Sequence, residues 1–231
     1  MERIEDLAKL AFEENSKKGF WDEDRDVLEA LALINTELSE SIEAYRKVKH
    51  AELEKIDESN FKESFEQHVK DTVEDELADS LIRMADFYGG MGFITNDEYV
   101  KQGFPEYDEV INSSMNYING SKNFSKSIFF IQKMICNIDN ELNNFLIPSE
   151  EFAKKLENQD IKDDAKMIEL MSEFGFCSYF RKHGLVMPTS LDMAYKCLYS
   201  FAKSLNVDID KHIELKRKYN STRAYKHGKK F

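Results

Sequence analysis

Apolar residues recur along this chain at spacings of three and four, the period of a helix with one buried face. Between residues 26 and 49, Leu31, Ile34, Leu38, Ile42 and Tyr45 form one stripe. Between 66 and 89 a second stripe holds Val73, Leu77, Leu81, Met84 and Tyr88, and Gly89-Gly90 offers a C-cap. The same period predicts helices over 2–15, 106–118, 123–146, 150–157, 163–182, 190–205 and 208–219, with a polar segment at 50–64. Pro105, Pro148 and Pro188 each fall in a break between periodic segments. No segment alternates with the period of two that a half-buried strand requires. The pattern predicts an all-α helical bundle.

The helix order looks partly duplicated. "EYDEVINSSMNYI" (106–118) resembles "ERIEDLAKLAFEE" (2–14), and "SIFFIQKMICNIDNEL" (127–142) resembles "ALALINTELSESIEAY" (30–45). "SLDMAYKCLYSFAKSLNV" (190–207) resembles "ELADSLIRMADFYGGMGF" (76–93). An internal repeat lets one chain build what two half-size chains build as a dimer. A helical insertion unrelated to the first half is the other reading.

The two long helices carry acids beside their apolar stripes. Glu37 and Glu40 are three residues apart on the first, with neighbours level with them that are small or apolar. Glu76 and Asp79 are three apart on the second, on a flank that also holds Arg83 and Asp86. Residues at i and i+3 share a face and can reach one ion. Four carboxylates converging in a partly dry cleft repel one another and call for cations; all-oxygen ligands suit Mg²⁺ or Mn²⁺. Acids at this spacing are also common on solvated helix faces, and Glu43 with Lys47 or Asp79 with Arg83 fits an ordinary helix ion pair. A di-iron carboxylate bundle needs Glu-x-x-His pairs. No histidine here has a glutamate three residues before it.

Composition narrows the function. The chain has 231 residues, 42% hydrophobic and 33% charged, with a formal net charge of -12. That balance argues against nucleic acid as a partner. Three scattered cysteines, Cys136, Cys177 and Cys197, make neither a disulfide framework nor a zinc knuckle. The acidic, amphipathic start is unlike a signal peptide, and no apolar run reaches membrane-spanning length, so a soluble cytoplasmic protein with no membrane partner is expected.

"ELSESIEAYRK", "HVKDTVEDELADSLIRMADFYGGMG" and "KRKYNSTRAYKHGKKF" resemble the MazG-like nucleoside triphosphate pyrophosphohydrolases of the all-α NTP pyrophosphatase superfamily. The resemblance covers about residues 1–93 and 207–231. It implies a catalytic half at 1–95, a helical insertion or degenerate second repeat at 96–206, and a C-terminal helix with a basic tail at 207–231. It further implies that Glu37, Glu40, Glu76 and Asp79 hold Mg²⁺ and that a (deoxy)nucleoside triphosphate is hydrolysed to monophosphate and pyrophosphate by a metal-activated water. Glu40 is the candidate base. Lys216, Asn220, Arg223 and His227 match the family's basic tail as phosphate contacts, although Lys229 stands where the family has a second glycine. Lys70 is a further phosphate candidate. Trp21, with Phe20, is either a stacking surface for the base or a hydrophobic lid. Family members assemble as dimers or tetramers, so a homodimer or a single-chain pseudo-dimer is expected. Laid on the first half, the second puts Met134, Asn137, Ser190 and Met193 at the places of the four acids. A catalytically silent scaffold or a nucleotide-binding regulator that kept the fold is the alternative.

Overall fold

The computed structural model describes residues 3–94, 107–146 and 185–225. The predicted helices at 150–157 and 163–182, the turn at Phe104-Pro105, and His227 and Lys229 lie outside the described residues. Eight α-helices are present among those described: α1 (Ile4–Lys17), α2 (Val27–Arg46), α3 (Phe61–His68), α4 (Val73–Met91), α5 (Tyr107–Gly120), α6 (Phe124–Leu146), α7 (Thr189–Ser204) and α8 (Ile209–Thr222). Among the described residues the protein is all-α apart from a two-residue parallel ladder, which pairs Phe93 with Leu185 and Ile94 with Val186.

Side-chain caps fix where helices start. Asp26 accepts the Glu29 N–H at 2.8 Å at the head of α2, and Asn123 accepts the Lys126 N–H at 3.0 Å at the head of α6. Thr72 caps α4 through the Asp75 N–H. This cap also explains a departure from the predicted helix over 66–89. The chain leaves α3 after His68 and Asp71 takes a positive φ of 58°. It then re-enters a helix at Val73, whose N–H reaches the Lys49 carbonyl at 3.0 Å.

The far end of α4 differs as well. The helix runs through Gly89-Gly90 and stops at Gly92, which takes the left-handed conformation (φ 68°). Gly90 serves packing instead. A Cβ there would stand 1.9 Å from the Trp21 ring.

Helix α4 is the hub, fully flanked by α1, α2, α8 and α7. It is buried along almost its whole length, including Leu77, Leu81, Met84 and Phe87. In the other half, α7 packs on α6 and α5, and α6 packs on α2. One core spans both halves and reaches Ile209 and Ile213 of α8. A smaller core under α8 joins Phe61, Phe65 and Val69 to Leu215 and Tyr219. That packing turns one face of α8 onto the start of α4. No helix among the described residues is long and apolar enough to cross a membrane.

Replacing Gly90 by Ala gains about 0.5–1 kcal/mol of helix propensity but overfills the Trp21 contact, a cost of about 1–3 kcal/mol. Gly90→Ala is therefore expected to lower the urea midpoint, read through Trp21 fluorescence. A midpoint at or above that of the parent would show that the contact relaxes freely.

Candidate metal centre

The side-by-side packing of α2 and α4 brings acids from both helices together. Ligand atoms of Glu37, Glu76 and Asp79 lie within 4.8 Å of one another, and those of Asp71, Asp75 and Glu76 form a second such group. Glu37, Asp75 and Glu76 are buried. Apolar neighbours on α2 and α4 exclude water here, so each carboxylate feels the others through a poor dielectric.

Two basic side chains answer this charge. Arg83 crosses from α4 to α2, its Nε donating to Glu37 Oε1 at 2.6 Å and its Nη2 lying 2.5 Å from the same oxygen. The simple within-helix pair of Arg83 with Asp79 is thus not what forms. Lys216, buried on α8, sets Nζ 2.8 Å from Asp75 Oδ2 and 3.3 Å from Asp79 Oδ2.

The balance is uneven. Burial pushes the Glu76 carboxyl up to about 9, with Asp75, Asp79 and Glu37 adding to the shift and Lys216 opposing it. Burial and the Asp79 charge also raise Glu37; Arg83 and a hydrogen bond with Glu76 pull it back. Asp79 goes the other way, because Lys216, Arg83 and Arg223 outweigh its burial and keep it ionised. Burial works against the Lys216 ammonium, but Asp79 and Asp75 prevail and raise it above the ordinary lysine value. Asp75 Oδ1 is buried without a hydrogen-bond partner. More negative groups than resident cations, an acid kept protonated and an orphaned carboxylate oxygen together fit a hard divalent ion.

Beside the acids lies a cleft lined by Asn15, Phe20, Asp79, Arg83, Asn220 and Arg223, among others. Its enclosed part, about 60 Å³, holds only a few waters. Two of the predicted phosphate contacts, Asn220 and Arg223, are therefore delivered to this cleft by the end of α8. Asn220 Oδ1 is buried and makes no hydrogen bond. Deeper in the cleft, Asp86 accepts from Trp21 Nε1 at 2.8 Å and pairs with Arg25 at 3.3 Å.

The remaining sequence candidates sit elsewhere. Glu40 is exposed on the outer face of α2, in an open groove with Thr36, Ser39 and Glu43, and is outside both carboxylate groups. Glu43 pairs with Lys47 at 3.1 Å, the expected surface ion pair. Trp21 is buried against Gly90 and Phe12, so Phe20 is the aromatic side chain of that pair that faces the cleft. Lys70 is half-buried and bonds Asp71 at 2.7 Å. Sequence reasoning passed over Asp75. It stands between Glu74 and Glu76 in a first turn where acids are favoured by the helix dipole alone, and only its contact with α8 distinguishes it.

Comparison with family models, curated proteins and solved structures finds no match to this chain.

A carboxyl with a pKa of about 9 in the fold and 4.5 unfolded binds its proton more tightly when folded. Without metal, its stabilising proton is fully in place below 4.5 and is lost as pH rises towards about 9. Glu76→Gln has no such proton to lose. In EDTA it is expected to be more stable than the parent at about pH 8, by on the order of a few kcal/mol, with the advantage shrinking towards about pH 5. Urea unfolding at the two pH values measures this, and parallel pH profiles would contradict it.

Proposed function

We propose that this protein is a Mg²⁺-dependent MazG-like nucleoside triphosphate pyrophosphohydrolase. One observation carries the reading: three carboxylates from two adjacent helices, Glu37, Glu76 and Asp79, meet within 4.8 Å at the edge of a cleft that also receives Asn220 and Arg223. Acid and basic groups meet there as a metal–triphosphate complex requires.

Each residue has a role in this scheme. Glu37, Glu76 and Asp79 hold the ion, with Asp75 beneath them. Lys216 keeps Asp79 ionised and orients Asp75, whose carboxyl is raised by its burial. Asn220 and Arg223 take phosphate oxygens and Lys70 adds positive charge, while the resemblance gives His227, outside the described residues, as a further phosphate contact. When bound, Mg²⁺ (or Mn²⁺) supplies neutralisation of the triphosphate and acidifies water near the α-phosphorus. The resemblance makes Glu40 the base for the attacking water, a role that requires substrate to reach past the cleft to the outer face of α2 where Glu40 lies. The narrow enclosed space means that substrate binds by opening the cleft or by lying across its mouth.

The second half is a degenerate repeat of the first, making the chain a cytoplasmic single-chain pseudo-dimer. Several contacts support this. Asp26 and Asn123, 97 residues apart, cap α2 and α6 in the same way. Asn15 acts on Asp86, opposing the burial that raises its carboxyl, and Asn119 donates to Ser200 at 2.8 Å, at corresponding places in the two halves. Between α2 and α6 the contacts are reciprocal. Asn35 donates to Cys136 Sγ while Gln132, its counterpart, donates to Ser39, the counterpart of Cys136. Such exchange is the mark of an isologous interface. At the second site Asn137 bonds Ser190 at 2.9 Å and Met134 is buried, so neutral side chains fill the places of the acids.

A panel of NTPs and dNTPs with Mg²⁺ is expected to yield monophosphate and pyrophosphate from at least one nucleotide. Asp79→Ala and Glu40→Ala are each expected to lower kcat/KM by about 100-fold or more. Absence of metal-dependent pyrophosphate from every nucleotide would refute the enzyme reading and leave the scaffold or nucleotide-binding alternative. Orthophosphate alone would place cleavage at another bond.

A further inference from the structure

We propose that Arg83 is a switched counter-ion: it neutralises Glu37 when the metal is absent, yields that oxygen to the ion, and turns its guanidinium to the triphosphate in the cleft. The inference rests on the metal-centre reading above.

Three observations lead to it. The first is competition for one atom. Both Arg83 donors, Nε at 2.6 Å and Nη2 at 2.5 Å, converge on Glu37 Oε1, and Glu37 is one of the three carboxylates that meet within 4.8 Å. An incoming divalent ion and the guanidinium seek the same negative charge, and the ion carries twice the charge on a far smaller radius.

The second observation is where Arg83 can go. It already lines the cleft that Asn220 and Arg223 enter. On its other side, one turn along α4, Asp86 favours its charge as well, and Asp86 is anchored by Trp21 and Arg25. The guanidinium therefore remains among acids and polar groups throughout a short side-chain rotation. A planar fork is also suited to bridging two phosphate oxygens.

The third is paired loss in the other half. Laid on the first half at the registers used above, α6 and α7 put Met134 at the place of Glu37 and Cys197 at that of Arg83. Both are buried and neutral. The acid and its counter-ion are absent together, as expected if Arg83 serves the metal centre rather than the bundle.

Metal and anion affinities separate this role from a structural one, because they must move in opposite directions. Mn²⁺ binding is followed by the electron paramagnetic resonance of the free ion, and inorganic triphosphate binding by calorimetry at saturating Mn²⁺. Arg83→Met is expected to bind Mn²⁺ about tenfold more tightly and triphosphate about tenfold less tightly than the parent. Arg83→Lys keeps the charge but not the two converging donors, and shifts both affinities the same way by less; it serves if the Met variant does not fold. Unchanged Mn²⁺ affinity, or a joint loss of both affinities, overturns the switch and makes Arg83 a structural ion pair. No Mn²⁺ binding by the parent protein would refute the metal centre itself, and this inference with it.

Discussion

Glu37, Asp75, Glu76 and Asp79 are held among the apolar side chains of α2, α4 and α8, and each repels the others. Burial removes the water that would screen the charges, so their repulsion has to be met locally. The fold meets it with Arg83 from within α4, Lys216 from α8, and a proton retained on Glu76. This compensation is partial, and the carboxylates that remain could hold a cation.

That constraint explains the arrangement of the rest. Helix α4 must be surrounded because it carries three of the four acids and is buried along almost its whole length. Helix α8 must dock on its first turn because Lys216 has no other route to Asp75 and Asp79. Phe65 and Tyr219, stacked with centroids 4.6 Å apart, hold α8 in that place. The same docking carries Asn220 and Arg223 to the cleft, so one packing contact both neutralises the acids and builds the opposite wall of the site. In the half formed by α5, α6 and α7, Asn137 donates to Ser190 at 2.9 Å and to Glu141 at 3.0 Å, and Met134 is buried.

Much of this was legible as pattern. Among the described residues, apolar spacing located α1, α2, α5, α6, α7 and α8 to within a few residues, but it read the start of α3 as part of a polar segment and set the start of α4 too early. It missed the break at Asp71, because a positive φ at an aspartate leaves no mark in hydrophobic period. Gly89-Gly90 read as a stop, yet they are tolerated inside α4 because Phe12 of α1 occupies the space a side chain would need at Gly89 and the Trp21 ring occupies it at Gly90. The pairs Glu37/Glu40 and Glu76/Asp79 were visible as i, i+3 acids. Sequence could not rank them, since Glu40 differs from Glu37 only in being turned about 60° further round α2.

The sequence by itself determined the helical class and the acid-bearing flanks of α2 and α4, because each is a matter of local period. Tertiary structure decided the partners. Arg83 pairs across to Glu37 rather than along its own helix, Lys216 reaches Asp75 from 141 residues away, and Glu40 stays outside while Asp75 is taken in. These choices depend on which helix faces lie against each other, and on how little water remains between them. Neither is encoded in the spacing of residues along a single helix.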